Sequence, residues 1–445
     1  MANEHSVEVC VVGLGPAGIG IAVAIEHILN GRKVLFIDAG RKVNERICSQ
    51  LYLGKCLEEE PCNIISGFGG CSLLSGGKIS LFPAGSSMAT ILGAREVAAE
   101  WLDYAKDKWI QLIGMSEESG SGIDLSEQAK FQKLGFEYKY YQVNSFSAYQ
   151  VKEAYAKLAE KLLKHNMLLT SCAVKSIEKK QSGYRLLCNK DKECLEIKAN
   201  KVVLALGKIG RRTLETINSS LNLKAEHGHI DIGVRLEFPN EIGLGFLQNH
   251  KDLKLKFANA RTYCVCQEGQ VITYRLEDTM FTEGHCDINQ KTNMTNLAIL
   301  CRYPSSETND VLFTEIKHRL QHNNGFPIKQ SLEDFIYKDN SKRVNDSTIQ
   351  ANLQNCFPEP VLNDIRDRLI FFLEKLFPND QWSSINIHGP EVDYNGLVFP
   401  IKRDFSITDG LFVIGSSTGH FRGILQSFCS GLIVGKRLLD GEQFE

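Results

Sequence analysis

The chain has 445 residues, 43% of them hydrophobic, and a formal net charge of -2. That length holds two or three domains with large cores, and the near-neutral balance excludes the global basic field by which proteins bind nucleic acid or anionic membrane. Its 14 cysteines are scattered along the chain, several in predicted strands, which points to reduced core residues rather than a disulfide framework.

Residues 1–6 are polar and lack the basic-then-apolar order of a signal peptide. The apolar stretch 18–29 carries Glu26 and His27 and is too short to span a bilayer, so a cytoplasmic protein is expected. Residues 7–12 form a β-branched run that breaks at Gly13-Leu14-Gly15-Pro16-Ala17-Gly18 and resumes as an apolar helix. The pattern predicts a strand, a tight phosphate-binding turn and a helix whose N-terminus faces the anion. Gly13 permits the turn, Gly15 leaves room for a pyrophosphate, and Gly18 lets the helix pack closely. A second predicted strand, residues 33–38, ends in Asp38, 20 residues beyond Gly18. Asp38, with Ala39 beside it, is placed to accept the adenosine ribose hydroxyls of a dinucleotide.

Residues 41–57 mix charges and cysteines without a firm period, predicting a loop and a short helix. A second glycine-rich run follows at 67–79, in which Gly69, Gly70, Cys71 and Ser72 are expected to approach the cofactor; the alternative is a surface loop. Residues 88–164 read as largely helical with a polar break at 117–124, and Met167-Leu168-Leu169-Thr170 marks a return to the sheet. Short strands at 173–179, 184–189 and 193–198 predict an antiparallel meander. It leads into Lys201-Val202-Val203-Leu204-Ala205-Leu206-Gly207, whose continuous apolar character is that of a buried parallel strand. Ala205 and Gly207 are expected at the cofactor.

Strand-like runs at 232–236, 261–266 and 270–274 then precede a polar, helix-rich stretch at 306–379, long enough to form a separate lobe. The close mirrors the opening. A strand at 410–415, a loop at 416–423 and an apolar helix at 424–439 place Gly415, Ser416, Arg422, Gly423 and Ile424 at a second cofactor region, with a positive helix dipole directed at it.

FAD and NAD(P) both satisfy the opening motif. No second glycine fingerprint with a downstream acid follows, and the order of segments is that of a two-domain flavoprotein wrapping an extended FAD. At these residues the chain resembles the bacterial FAD-dependent dehydrogenases, a branch of the glutathione-reductase-like flavoproteins. Gly69-Gly70 through Ser75-Gly76-Gly77-Lys78-Ile79 is similar to that group's Gly-Gly-Ala-Gly-x-Phe-Ser-Asp-Gly-Lys-Leu. Leu204-Ala205-Leu206-Gly207, Ile232-Gly233-Val234-Arg235-Leu236-Glu237 and Tyr263-Cys264-Val265-Cys266-Gln267-Glu268-Gly269 resemble three further segments, and residues 415–431 resemble its closing run. Departures fall at the flavin end. The closing acid that usually bonds the ribityl chain is here Ser416 or Ser417, and an expected Glu-Thr-Arg-Thr-Ser-Ser stretch is Glu391-Val392-Asp393-Tyr394-Asn395-Gly396.

The resemblance implies an α/β fold with a Rossmann-like FAD/NAD(P)-binding domain of glutathione-reductase type over 1–85, 150–212 and 385–445. An inserted α+β substrate or cap lobe then occupies 86–149 and 213–384. The expected activity is that of an FAD-dependent oxidoreductase transferring a hydride between flavin N5 and a small-molecule substrate, with NAD(P)H as a transient reductant. The alternatives are a flavin-dependent monooxygenase and a non-catalytic FAD-stabilised subunit of a partner complex. Candidates for chemistry are Lys78, His420 and Arg422 near the predicted flavin, and Cys264 with Cys266, two apart on a strand and therefore on one face. His388, Asp393 and Tyr394 are further acid/base candidates, and Arg235 with Glu237 is either a structural ion pair or part of the substrate lobe. No nucleic acid, membrane or metal partner is expected.

Overall fold

The computed structural model describes residues 3–26, 33–74, 77–119, 125–247, 250–322, 325–337 and 352–440, so Ser75 and Gly76 of the second glycine run lie outside the described residues. The chain divides into two compact units. The first comprises Met1–Glu117, Asn144–His227 and Asn395–Glu445; the second comprises Glu118–Val143 and Gly228–Tyr394. Residues 86–117, 144–149 and 213–227, which the sequence reading placed in the inserted lobe, therefore fall in the first unit, and 385–394 fall in the second. The cause is visible in the helix Arg95–Ile113, whose buried Trp109 packs edge-on against Phe428 at 5.1 Å.

In the first unit, β1 (Asn3–Val12) runs into α1 (Pro16–Ile25) and β2 (Val34–Ile37), followed by the short α2 (Ser49–Leu53). Pro16 at the first helical position presets the helix start. The helix α3 (Ala148–Lys164) opens with a capping box between Ser147 and Gln150 and leads to β3 (Leu168–Leu169). Then come β4 (Cys172–Lys179), β5 (Tyr184–Lys190), β6 (Glu193–Leu204), β7 (Ser406–Thr408), β8 (Leu411–Val413) and finally α4 (Ile424–Asp440). They form an eight-stranded sheet in the order β7-β8-β6-β1-β2-β3, with β5 also joined to β6 and β4 to β5. Strands β3, β2, β1, β6 and β8 are parallel. The chain moves outward from β1 to β2 on one side and returns through β6 on the other, so the topological switch lies between β1 and β6.

Strand β6 unites two features that the sequence reading kept apart. Its first half pairs antiparallel with β5, and along most of its length, from Leu195 to Leu204, it pairs parallel with β1. A meander strand and a buried central strand are thus one element, because its apolar second half is covered on both faces while its first half reaches the rim. Residues 137–139 and 143–145, read as helix, are short strands.

Helices α1 and α4 meet along small residues. A Cβ on Gly20 would stand 2.2 Å from the Phe428 carbonyl oxygen, and one on Gly431 would stand 2.0 Å from that of Ala17. Backbone thus lies directly on backbone. Among the described residues no helix is long and apolar enough to cross a membrane.

The second unit is built on a seven-stranded antiparallel sheet centred on the strands Ile230–Pro239 and Met294–Tyr303. Along Ile230–Pro239 the even positions from Ile230 to Phe238 are apolar, while Asp231, Arg235 and Glu237 occupy the odd ones; all are buried. One sheet face therefore carries charge out of water, which requires partners for each charge.

Candidate functional site

At the C-terminal end of β1, Gly13 turns the chain with φ +103°, and a Cβ there would lie 2.3 Å from the Ala205 carbonyl oxygen. Only glycine fits where the first loop crosses the end of β6. Ala205 N returns a 2.8 Å hydrogen bond to Val12 O, closing the switch point. Gly15 caps α1 in extended conformation, and the nearest atom to a Cβ built on it is Gly70 Cα at 3.9 Å. Gly18 lies against Gly13, the carbonyl oxygen being 2.1 Å from an added Cβ. Pro16 and Ala17 complete the first turn, where unpaired helix N–H groups gather.

Asp38 follows β2 and is buried. Its Oδ2 accepts from Leu14 N at 2.7 Å and its Oδ1 from Gly40 N at 2.8 Å. Burial pushes the carboxyl pKa up, opposed by those amides and by the charge of Arg46. Asp38 thus fixes the glycine loop while further acceptor positions remain on the same carboxylate. Ala39 beside it is exposed.

The second glycine run is no loose surface loop. Gly69 N donates to Leu14 O at 2.7 Å, which ties the two glycine loops directly. Gly70 has φ +52°, and its missing Cβ would sit 2.8 Å from Gly15 Cα. Ser72 Oγ donates to Gly69 O at 2.7 Å and shares a 2.8 Å hydrogen bond with Tyr155 OH. Cys71, by contrast, is exposed. Behind the run, the buried Arg46 donates to Asn63 O at 3.1 and 2.6 Å and to Phe68 O at 2.7 Å. Burial lowers its pKa to about 10, with Asp38 the strongest opposing charge. Arg46 and Tyr155 belong to the site, and neither carries a motif by which the sequence could have found it.

The closing segment joins the same cluster. Gly207 N donates to Ser417 Oγ at 2.9 Å, and Gly415 N donates to Ser430 Oγ at 3.0 Å. A Cβ on Gly415 would press on Ala17 Cβ at 2.9 Å, so the closing loop packs on the first turn of α1. Ser417 is thus committed to the Gly207 backbone, while Ser416 beside it is half-buried. Gly423 precedes α4, and Ile424 is its first residue. There Gln426, buried at the helix start, donates to Ser80 O and Ala84 O, both at 3.2 Å. His420 Nε2 is bonded to Phe399 O at 2.8 Å, which commits that nitrogen. Arg422 and Lys78 are half-buried.

The remaining candidates lie in the second unit. A bulge interrupts the strand Ala260–Cys266 between Tyr263 and Cys266, and Cys264 has φ +34°. Alternation fails there. Cys264 is exposed and Cys266 buried, so the two do not share a face. Arg235 and Glu237 do not pair with each other. Arg235 makes a bidentate bond to Glu391, both contacts 2.7 Å, and donates to Asn296 Oδ1 at 2.8 Å and Cys264 O at 3.0 Å. Glu237 bonds Lys329 at 2.8 Å and His388 at 2.9 Å. Burial works against its charge, yet the bonds from His388 and Lys329 prevail and hold the carboxyl down at about 2. Burial also pulls His388 below its ordinary value, opposed by its bond to Glu237. Tyr394 is buried with its hydroxyl on Asp310 Oδ1 at 2.8 Å. These groups are committed to holding the sheet.

No protein-family model and no curated protein matches the chain. Among solved structures, a geranylgeranyl bacteriochlorophyll reductase-like protein from Thermoplasma acidophilum is 12% identical over 99% of this chain and 80% of that one, with a TM-score of 0.42. The p-nitrophenol 4-monooxygenase of Pseudomonas putida is 10% identical over 92% and 73% of the two chains, with a TM-score of 0.39. The protein CtdE, solved in complex with FAD, is 12% identical over 96% and 83%, with a TM-score of 0.37. Likeness at this level does not carry ligand or activity from one protein to another.

Proposed function

We propose that the first unit binds FAD in extended form and that the protein is a flavin-dependent oxidoreductase, of the glutathione-reductase-like dehydrogenase type, acting on a small-molecule substrate. The observation that supports this most is the direct tie between two glycine loops at the switch point, Gly69 N on Leu14 O, with Asp38 holding Leu14 N from the other side. An ordinary βα turn needs no second loop; a pyrophosphate in the crevice beyond the strand ends is served by both. The residues fit the group. An added Cβ at Gly15 or Gly207 meets its nearest atom only at 3.9 and 4.0 Å, so both positions are open where backbone must face a ligand.

On this reading Gly13 to Gly18 hold the pyrophosphate together with Gly69, Gly70, Cys71 and Ser72, and Asp38 with Ala39 takes the adenosine ribose. Ala205, Gly207, Gly415, Ser416, Arg422, Gly423 and Ile424 hold the flavin side. When bound, FAD supplies hydride chemistry at N5. The chain's own residues bind it, orient it and direct the positive end of α4 at charge developing on the ring.

Reduction of the FAD-loaded protein under anaerobic conditions tests the reaction class. Bleaching by a metabolite, with no nicotinamide present, is the outcome expected for hydride transfer from substrate. Bleaching by NAD(P)H alone, followed by an oxygenated product when air and substrate are admitted together, contradicts the dehydrogenase reading and marks a monooxygenase. Resistance to every reductant, with a stoichiometric copurifying protein, marks a non-catalytic subunit.

A further inference from the structure

The helix Thr308–His322 of the second unit buries Phe313, Ile316 and Leu320 on its inner face. His318 and His322 stand exposed on the outer face, one turn apart. Their ring centroids are 4.2 Å from each other, with the planes tilted by 56°. His322 Nδ1 is bonded to His318 O at 2.7 Å. A carbonyl only accepts, so in the neutral ring Nδ1 carries the proton and Nε2 keeps its lone pair. Fixing one ring nitrogen on a backbone carbonyl is how metal-ligating histidines are oriented.

The two histidines line a cavity of about 310 Å³ together with Arg319 and Asn355. Asn355 comes from the short turn Leu353–Cys356 and brings a side-chain amide to the same place. Arg319 does not set a bare positive charge there, because Glu315, one turn back, bonds its Nε at 2.9 Å and its Nη2 at 2.8 Å. His322 is also the last residue of its helix, where carbonyls without helical partners favour a cation.

We propose that His318 and His322 chelate one divalent transition-metal ion of the zinc class, with Asn355 as a third protein contact. Imidazole ligands select Zn²⁺, Ni²⁺ or Cu²⁺ over Mg²⁺ and Ca²⁺, which take oxygen sets. Among the described residues no group of three His, Cys, Asp or Glu side chains is placed to hold a metal ion, so water completes the coordination here. The ion ties the last turn of the helix to the turn that carries Asn355. This site stands apart from the flavin reading, and its test uses the metal alone.

Calorimetric titration of the untagged full chain with Zn²⁺, and with Mg²⁺ as the contrast, tests this. Both histidines are exposed, so His318→Ala and His322→Ala are compatible with folding. Each is expected to weaken one zinc site by roughly tenfold or more, and the double variant loses little beyond either single one, since a chelate needs both rings. Asn355→Ala weakens the site by roughly threefold. With zinc about a hundredfold above its dissociation constant, the midpoint of thermal unfolding rises by roughly 5 °C in the wild type and not in the double variant. Exposed Cys71, Cys194 and Cys264 are competing zinc ligands. Zinc binding that survives intact in the double variant assigns the ion to those thiols and overturns the proposal. So does a wild type that takes up no zinc, one that takes up Mg²⁺ equally well, or a site that depends on only one of the two histidines.

Discussion

Glycines that look alike in the opening motif do different work, and substitution separates them. Alanine at Gly13 forces a Cβ to within 2.3 Å of the Ala205 carbonyl oxygen at φ +103°, and Gly13→Ala is expected to cost roughly 2–4 kcal/mol in urea unfolding. At Gly15 the added carbon finds its nearest neighbour at 3.9 Å, so Gly15→Ala keeps near-wild-type stability yet loses FAD affinity by at least about tenfold, because the methyl occupies space meant for the ligand. Equal loss of stability in the two variants contradicts that division. Asp38→Ala strips the acceptor from both Leu14 N and Gly40 N, each buried donor costing about 1–3 kcal/mol. It weakens FAD binding as well, and Asp38→Asn falls between. The motif was legible because glycine spacing and a terminal acid reflect backbone demands. That Asp38 also clamps its own loop was not legible, since the bond joins residues 24 apart.

At the scale of elements, sequence periodicity found the strands but not their interruptions. Cys264 and Cys266 look like same-face neighbours until the bulge at Tyr263 turns them apart. Strand β6 reads as two elements because its burial changes midway. The charged odd positions of Ile230–Pro239 were visible, whereas the partner of Arg235, 156 residues away in Glu391, was not. Arg235→Ala leaves Glu391 buried without its cation and is expected to cost about 3–5 kcal/mol, much of which the apolar pair Arg235→Met/Glu391→Leu recovers in the same unfolding assay. The second unit should also soften in mild acid. Burial pushes the pKa of His285 down to about 4, with Asp287 opposing. Because the folded value lies below the ordinary 6.5, the unfolded chain takes the proton first. Stability is therefore level above that value and falls as pH drops toward 4, by up to about 1.4 kcal/mol per pH unit. The Glu237 contribution is full above the ordinary carboxylate range and is lost only as pH falls toward 2, so it leaves the window between pH 7 and pH 5 to the histidines. Urea midpoints at pH 7 and pH 5 check this, with His285→Leu expected to narrow the gap between them.

For the whole molecule, the order strand, glycine loop, helix, strand and acid carried the α/β architecture of the first unit, and the mirrored close carried its return to the sheet. The division into units was less legible, because the helix Arg95–Ile113 belongs with α4 through the contact of Trp109 with Phe428, a packing event no local pattern announces. The proposed function depends on the paired glycine loops of the first unit holding FAD. It is tested most directly by mixing the purified, folded protein with excess FAD, removing free ligand by gel filtration, and reading the visible spectrum. The expected result is a yellow wild-type protein carrying one FAD per chain and an equally folded Gly15→Ala variant that retains less flavin. A wild-type protein that retains no flavin while remaining fully folded would contradict it.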